Sequence, residues 1–170
     1  MFIKKGFSMD KEYLKIIDNL ANNRKFKKLI NEKHHNSNNR YNHSLDVSYY
    51  TYKICKKLNL DYESATRAAL LHDFFFKSEI KGPKEIIFHP KHAIINASKI
   101  TKLNDKEKNI ILSHMFPIGY VLPKYKESII VDIVDDVVSF KDIKNICKKN
   151  IRKLENALSF IAFVLINFIR

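Results

Sequence analysis

A histidine and an aspartate stand side by side within an apolar stretch, Leu-Leu-His-Asp-Phe-Phe-Phe at residues 70–76. Burying an imidazole and a carboxylate is costly unless each group has a charged partner, a hydrogen bond or a metal ion. The flanking apolar side chains predict that His72 and Asp73 are buried. The doublet therefore needs such a partner, and a functional role explains it better than an ordinary surface position.

Four further residues of metal-binding type occur along the chain, at intervals of about one helix and one loop. Together with the doublet they form the ordered set His43, His72, Asp73, His89, His114 and Asp135. Side chains at such intervals can project from neighbouring helices towards one point of a bundle. Imidazoles and carboxylates are ligands for divalent transition metals, and a bound cation would neutralise Asp73 and accept the lone pair of a neutral His72.

The elements that would position these residues are helices, because apolar residues recur at helical spacing and strand alternation does not occur. Asp10 and Asp61 are candidate N-caps, and Asn104 with Glu107 has the form of a capping box. Pro90 suits the first turn of a helix that begins near His89. The core-facing side chains predicted for the first helix are Tyr13, Leu14, Ile17 and Leu20.

The remaining segments are connections and two later helices. Residues 31–42 are predicted as a polar connection, and residues 77–85 and 116–128 as loops. Residues 129–140 are predicted as a helix, with a strand as the alternative, and a last helix runs from about residue 150 to the end.

At this point the sequence resembles the HD-domain family of metal-dependent phosphohydrolases. The resemblance rests on the ordered motifs YNHSLDV, AALLHDFFF, FHPKHA, ILSHMFP and VDIVDD, and it covers roughly residues 31–140. It implies an all-α, single-domain helical bundle that hydrolyses a phosphate ester or anhydride. The metal ligands that it implies are His43, His72, Asp73 and Asp135 for a first ion and His89 and His114 for a second. Asp73 is also the residue assigned to catalysis.

Two positions depart from the family pattern. Many members carry a lysine four residues after the histidine of the doublet, where this chain has Phe76 followed by Lys77. Lys77 is the predicted substrate contact at this place. The last aspartate of the family pattern is often followed by lysine, whereas here Asp136 follows Asp135. Asp135 is the predicted ligand and Asp136 the alternative.

Other cationic residues are candidates for contact with substrate phosphates. A basic cluster precedes His43 and comprises Lys33, His34, His35 and Arg40. Arg40 is its predicted substrate contact, whereas an ordinary structural or solvated position is the favoured prediction for the two histidines. His92 competes with His89 by spacing, and the resemblance favours His89 as the metal ligand. His92 is then a predicted substrate contact, with a position facing solvent as the alternative.

Composition narrows the class of protein. The chain has 170 residues and a formal net charge of +13, which attracts anions such as nucleotides, nucleic acid or acidic lipid. The lysine-rich residues 141–153 lack interleaved aromatics, which disfavours nucleic acid. The N-terminus has no apolar signal-peptide core, and the apolar run at 157–169 is too short to span a bilayer. We therefore expect a cytoplasmic protein without a transmembrane span, in which that run forms core or a homodimer contact. Because lysines precede the run, a helix lying at a membrane surface is the alternative.

These observations predict three parts: an N-terminal helix at 1–30 packed on the domain, an HD-like metal-binding core at 31–140, and a basic and then apolar C-terminal helix at 141–170. The predicted function is a metal-dependent phosphohydrolase with one or two divalent ions, iron, manganese or another. Its predicted substrate is a nucleotide or another small phosphate compound. The alternatives are a catalytically idle HD-fold metal-binding protein and a basic nucleic-acid-binding protein.

Overall fold

The computed structural model describes residues 10–33, 39–82 and 87–144, with only the backbone for 141–144. The α-helices are α1 (Lys11–Ala21), α2 (Arg40–Lys57), α3 (Tyr62–Leu71), α4 (His89–Ser98), α5 (Asp105–Ser113) and α6 (Lys126–Lys144). Two short 3-10 helices, Phe26–Asn31 and Lys77–Glu79, lie in the connections. These ranges contain no β-strand, so the all-α prediction is confirmed.

Local capping signals fix the starts of three helices as the sequence predicts. The Asp10 carboxylate accepts a hydrogen bond from the Glu12 N–H, and Asp61 accepts one from the Ser64 N–H. Asn104 and Glu107 form the reciprocal capping box at the start of α5. Each cap satisfies backbone donors that a helix start otherwise leaves unpaired.

Two predicted boundaries were wrong. Helix α2 begins at Arg40, inside the predicted connection 31–42, because the Asn39 side chain accepts a hydrogen bond from the Asn42 N–H and caps the helix there. Helix α6 begins at Lys126, inside the predicted loop 116–128. The segment 129–140 is helical, so the strand alternative is excluded.

The core-facing surface of α1 differs from the prediction at one residue. Tyr13, Ile17 and Leu20 are buried, whereas Leu14 is 42% exposed. The three buried residues recur at helical spacing on one face, and Leu14 follows Tyr13 by one residue, which turns it about 100° around the helix. Leu14 therefore lies outside the core.

Helix α3 lies at the centre of the bundle, packed against α1, α2 and α5 and touching α4 and α6. Its alanines Ala65, Ala68 and Ala69 are fully buried, and such small side chains allow neighbouring helices to approach closely. The largest fully buried apolar residues around it include Tyr13, Phe26, Leu29, Tyr52, Leu70, Leu71, Phe74, Ile110, Ile111 and Ile130. Burial of one such side chain stabilises the fold by about 1.5–3 kcal/mol.

Some predicted features fall on residues outside the described ranges. These are His34 and His35 of the basic cluster, the helix from about residue 150 and the apolar run 157–169. Among the described helices, none has both the length and the apolar composition that crossing a bilayer requires.

Candidate metal centre

Five helices deliver the predicted metal-binding set to one place in the bundle. His43 lies on α2, His72 and Asp73 directly follow α3, His89 is the first residue of α4, His114 directly follows α5, and Asp135 lies on α6. Asp135 is partly buried and the other five are buried. The structure therefore brings together all six residues, which are separated by up to 92 positions in sequence.

One group of ligand-type atoms lies between α2, α3 and α6. The Oδ1 atom of Asp135 is 2.8 Å from Nε2 of His43 and 3.4 Å from Nε2 of His72. The two imidazole rings lie 5.4 Å apart, centroid to centroid. These three side chains can direct one ligand atom each to a shared cation.

A second group lies on the other side of His72, between α3, α4 and α5. The Oδ1 atom of Asp73 is 3.0 Å from Nε2 of His89 and 3.9 Å from Nε2 of His114. The Nε2 atoms of His89 and His114 are themselves 2.8 Å apart. His72, Asp73 and His114 form another set that can hold a cation, so His72 is common to both groups.

Backbone carbonyls set the tautomers of His72 and His114. The Nδ1 atom of His72 is 2.7 Å from the Ala69 carbonyl oxygen, and Nδ1 of His114 is 2.7 Å from that of Ile111. A carbonyl oxygen can only accept, so each Nδ1 carries the proton and donates it. In the neutral imidazole the Nε2 lone pair is then exposed towards the cluster, which is the arrangement usual for metal-ligating histidines.

The donor set fits a divalent transition metal. Nitrogen and oxygen ligands lie about 2.0–2.2 Å from such an ion, so atoms that share one are about 3 Å apart. The ligand-type atoms here are 2.8 to 3.9 Å apart. The Nε2 atom of His72 is buried and makes no hydrogen bond to the described residues. Because a buried polar atom without a hydrogen bond is costly, a cation at this point satisfies a need that the protein leaves open.

The electrostatics of the cluster favour a cation between the carboxylates. Burial raises the pKa of Asp135, but the positive charge of His72 and the hydrogen bond of His43 outweigh it and hold that pKa well below its usual value. Burial lowers the pKa of His72, yet the charge of Asp135 reverses this and raises it. Burial and the neighbouring His72 and His89 lower the pKa of His114 to about 3. Asp135 is thus ionised and His114 neutral, as metal ligands must be, whereas the raised pKa of His72 favours a proton on its Nε2 that a bound ion would displace.

The two other aspartates of α6 have a different environment. Asp136 is an exposed residue, yet partial desolvation of its carboxyl group and the nearby negative charge of Asp135 raise its pKa. Burial and the charges of Asp136 and Asp135 raise the pKa of Asp132 to about 8. Among these three acids, Asp135 has the contacts with His43 and His72.

Arg40 lies at the edge of the second group, held from several sides. Its Nη1 donates to the Phe75 carbonyl oxygen at 2.8 Å, and its Nε lies 3.7 Å from Oδ2 of Asp73. Its guanidinium stacks over the Phe75 ring, which also contacts the His89 ring with centroids 4.7 Å apart. Glu32 accepts from Arg40 and from the Lys77 N–H. The sequence analysis missed Phe75 and Glu32. Phe75 is one of three consecutive phenylalanines and Glu32 lies in a polar segment, so residue type alone distinguishes neither from its neighbours.

The side chains of the other two predicted substrate contacts make no hydrogen bond or ion pair with the described residues of the cluster. Lys77 is exposed at the start of the second 3-10 helix, and its backbone N–H is bound to Glu32. His92 is partly buried on α4, one turn after His89, and no described residue forms an ion pair with it. Neither side chain joins the six-residue cluster.

Comparison with known proteins agrees with the motifs. The family model described as HD domain matches residues 40–139, which is more than half of the chain and contains all six clustered residues. Searches of curated proteins and of solved structures found no match. The family match and the all-helical bundle around the His-Asp cluster agree, and we conclude that the chain belongs to the HD-domain family of metal-dependent phosphohydrolases.

Proposed function

We propose that this chain hydrolyses a phosphate ester or anhydride of a nucleotide or another small phosphate compound, using two divalent ions. His43, His72, Asp73 and Asp135 would hold the first ion, and His89 and His114 would hold the second beside Asp73. The observation that carries this proposal is the convergence of these side chains around the buried Nε2 of His72, which makes no hydrogen bond to the described residues.

Divalent ions bound here would supply Lewis acidity towards the phosphoryl group and an activated water nucleophile. The protein contributes orientation. Asp73 lies with Oδ1 towards His89 and Oδ2 towards Arg40, so its carboxylate is held on both sides. Phe75 packs against the His89 ring and holds Arg40 by its carbonyl oxygen. Arg40 places a permanent positive charge next to Asp73, where the phosphate of a substrate would develop negative charge.

The buried position of the cluster also limits the access of water to it. His43, His72 and His114 are buried beneath the helices that carry them, and Phe74 and Phe75 follow the doublet as buried side chains. Electrostatic attraction between ions and a phosphate is stronger in such a site than in open solvent. The exposed Lys77 would attract an anionic substrate to this part of the surface, which is consistent with the net charge of +13.

The direct test is phosphate release from a panel of nucleotides by protein loaded with Mn²⁺ or Fe²⁺, with His72→Ala as the inactive reference. We expect turnover by the wild type only after metal loading, and none by His72→Ala. Bound metal without turnover of any phosphate compound would contradict the hydrolase and would leave a catalytically idle HD fold.

The number of metal ions bound per chain tests whether His89 and His114 hold a second ion. The fully loaded wild type is expected to approach about two metals per chain, and the double variant His89→Asn/His114→Asn about one, because separate ligand sets hold separate ions. The measurement is elemental analysis after removal of free metal, with circular dichroism to check that the bundle is folded.

His92→Asn is the matched control, because His92 lies one turn from His89 on the same helix and outside the cluster. It is expected to keep about two metals per chain. A wild type that never exceeds one metal would contradict the two-ion site and would leave His89 and His114 for contact with substrate.

A further inference from the structure

An aromatic pair adjoins the cluster at the start of α4. Phe88 immediately precedes His89, and its ring stacks on that of Tyr120 with centroids 5.6 Å apart and planes 15° from parallel. Tyr120 is 77% exposed, so one face of its ring covers Phe88 and the other faces solvent. The Nζ atom of Lys91 lies 5.1 Å from the centre of the Phe88 ring. We name these three residues the aromatic platform.

Hydrogen bonds with Asn109 of α5 hold the loop that carries Tyr120 in place. Asn109 of α5 donates from Nδ2 to the Leu122 carbonyl oxygen at 3.1 Å and accepts at Oδ1 from the Lys124 N–H at 2.8 Å. Within the loop, the Gly119 N–H donates to the Met115 carbonyl oxygen at 2.6 Å. A Cβ atom at Gly119 would come within 3.1 Å of the Met115 side chain, so this close turn favours glycine. Tyr120 is thus presented by an ordered loop, which lowers the entropic cost of binding a ligand.

The location of the aromatic platform links it to the candidate second ion. Phe88 precedes His89 by one residue, and the loop of Tyr120 begins directly after His114. The Nε2 atoms of those two histidines are 2.8 Å apart. Phe88 is therefore next to one of these histidines in the chain, and the loop that follows the other carries Tyr120, so the platform lies on the same two segments as the candidate second site.

Packing does not explain the pair, because a ring that is mostly exposed contributes little to a core. Single exposed apolar residues are common on protein surfaces. Here, however, two rings are nearly parallel, the outer one is mostly exposed, and the Lys91 ammonium lies over the Phe88 ring. A flat face of this kind suits another flat ring, because aromatic side chains stack well on nucleobases of any sequence.

We propose that the aromatic platform binds the base of a nucleotide substrate, which stacks on the open face of Tyr120, while Lys91 adds positive charge for its phosphates. This inference rests on the proposed function and narrows its substrate class from any small phosphate compound to one that carries a nucleobase. Phe88 supports the Tyr120 ring from the other face and acts as a positioning residue.

The test compares a nucleotide with its base-free equivalent. Calorimetry would measure the Kd of ADP and of pyrophosphate for Mn²⁺-loaded protein. Tyr120→Ala is expected to raise the Kd of ADP by roughly 5- to 150-fold, the range of one lost stacking contact, and to leave that of pyrophosphate unchanged. Phe88→Ala should weaken ADP binding in the same direction, and Tyr120→Phe should bind ADP as the wild type does.

Leu122→Ala is the matched control, since Leu122 is an apolar residue of the same loop with 67% exposure and lies outside the ring stack. It is expected to leave both Kd values unchanged. An equal loss of ADP and pyrophosphate binding in Tyr120→Ala, or no loss at all, would overturn the proposal. The proposal would also be overturned if Tyr120→Ala weakened the binding of a single-stranded oligonucleotide but left the Kd of ADP unchanged. A protein that binds ADP in this way but hydrolyses nothing would contradict the proposed hydrolysis alone.

Discussion

Replacing Asp73 with asparagine is expected to remove bound metal and to lower hydrolysis by more than about 100-fold. Loss of a residue that merely orients a metal ligand already costs about 10- to 100-fold, and Asp73 is proposed as a ligand itself. Its Oδ1 lies 3.0 Å from Nε2 of His89 and its Oδ2 3.7 Å from Nε of Arg40, so the substitution also removes the negative charge beside that Nε and leaves Glu32 as the carboxylate neighbour of Arg40. Metal analysis and turnover, measured on the same preparations, would check both effects.

Asp105→Asn is the control for this change. Asp105 is an exposed aspartate at the start of α5, and its substitution removes the same charge at a distance from the cluster. It is expected to retain metal and activity. If Asp73→Asn kept full metal occupancy and wild-type turnover, the assignment of the His-Asp doublet to the metal would be wrong.

The second large effect is expected at Asp135. Asp135→Asn keeps the shape of the side chain but removes the anionic group that lies 2.8 Å from His43 and 3.4 Å from His72. The ion would lose charge compensation and one ligand, so we expect weaker metal binding and a fall in turnover by orders of magnitude. Titration of the metal-free protein with Mn²⁺, followed by phosphate release, measures both quantities.

Asp136→Asn is a control that the chain itself provides, because the adjacent carboxylate is exposed and points about 100° away around α6. Its turnover should stay within a few-fold of the wild type. The reverse ranking would transfer the ligand to Asp136. Equal and negligible effects of the two substitutions would mean that neither carboxylate binds the ion.

Much of the bundle follows from local signals in the sequence. The caps at Asp10, Asp61 and Asn104 depend only on residues within one turn of the helix start, so short-range reasoning finds them. The His-Asp doublet is equally conspicuous, because polar groups in an apolar run need a partner wherever the chain places them. The other four residues of the set were indicated by their type, histidine or aspartate, and by intervals of about one helix and one loop between them.

What the sequence could not provide depends on contacts between distant residues. Phe75 gives no sign that its carbonyl binds Arg40, which lies 35 positions earlier. The pairing of Phe88 with Tyr120 requires the start of α4 to meet the loop after α5. Leu14 appeared to belong to the core because its type is apolar, although the orientation of α1 leaves it in solvent. Packing decides each of these positions, and no local pattern encodes it.

The position of His72 and His114 at helix ends has a consequence for the electric field in the cluster. Each histidine directly follows the last residue of a helix, and each Nδ1 binds a carbonyl of the final turn. The aligned peptide dipoles of a helix place partial negative charge at its C-terminus, and this favours cations there. Two such helix ends, those of α3 and α5, meet beside the ligand atoms. Part of the attraction for a metal therefore comes from the main chain, so a variant that lacks one carboxylate should still concentrate cations weakly at this place.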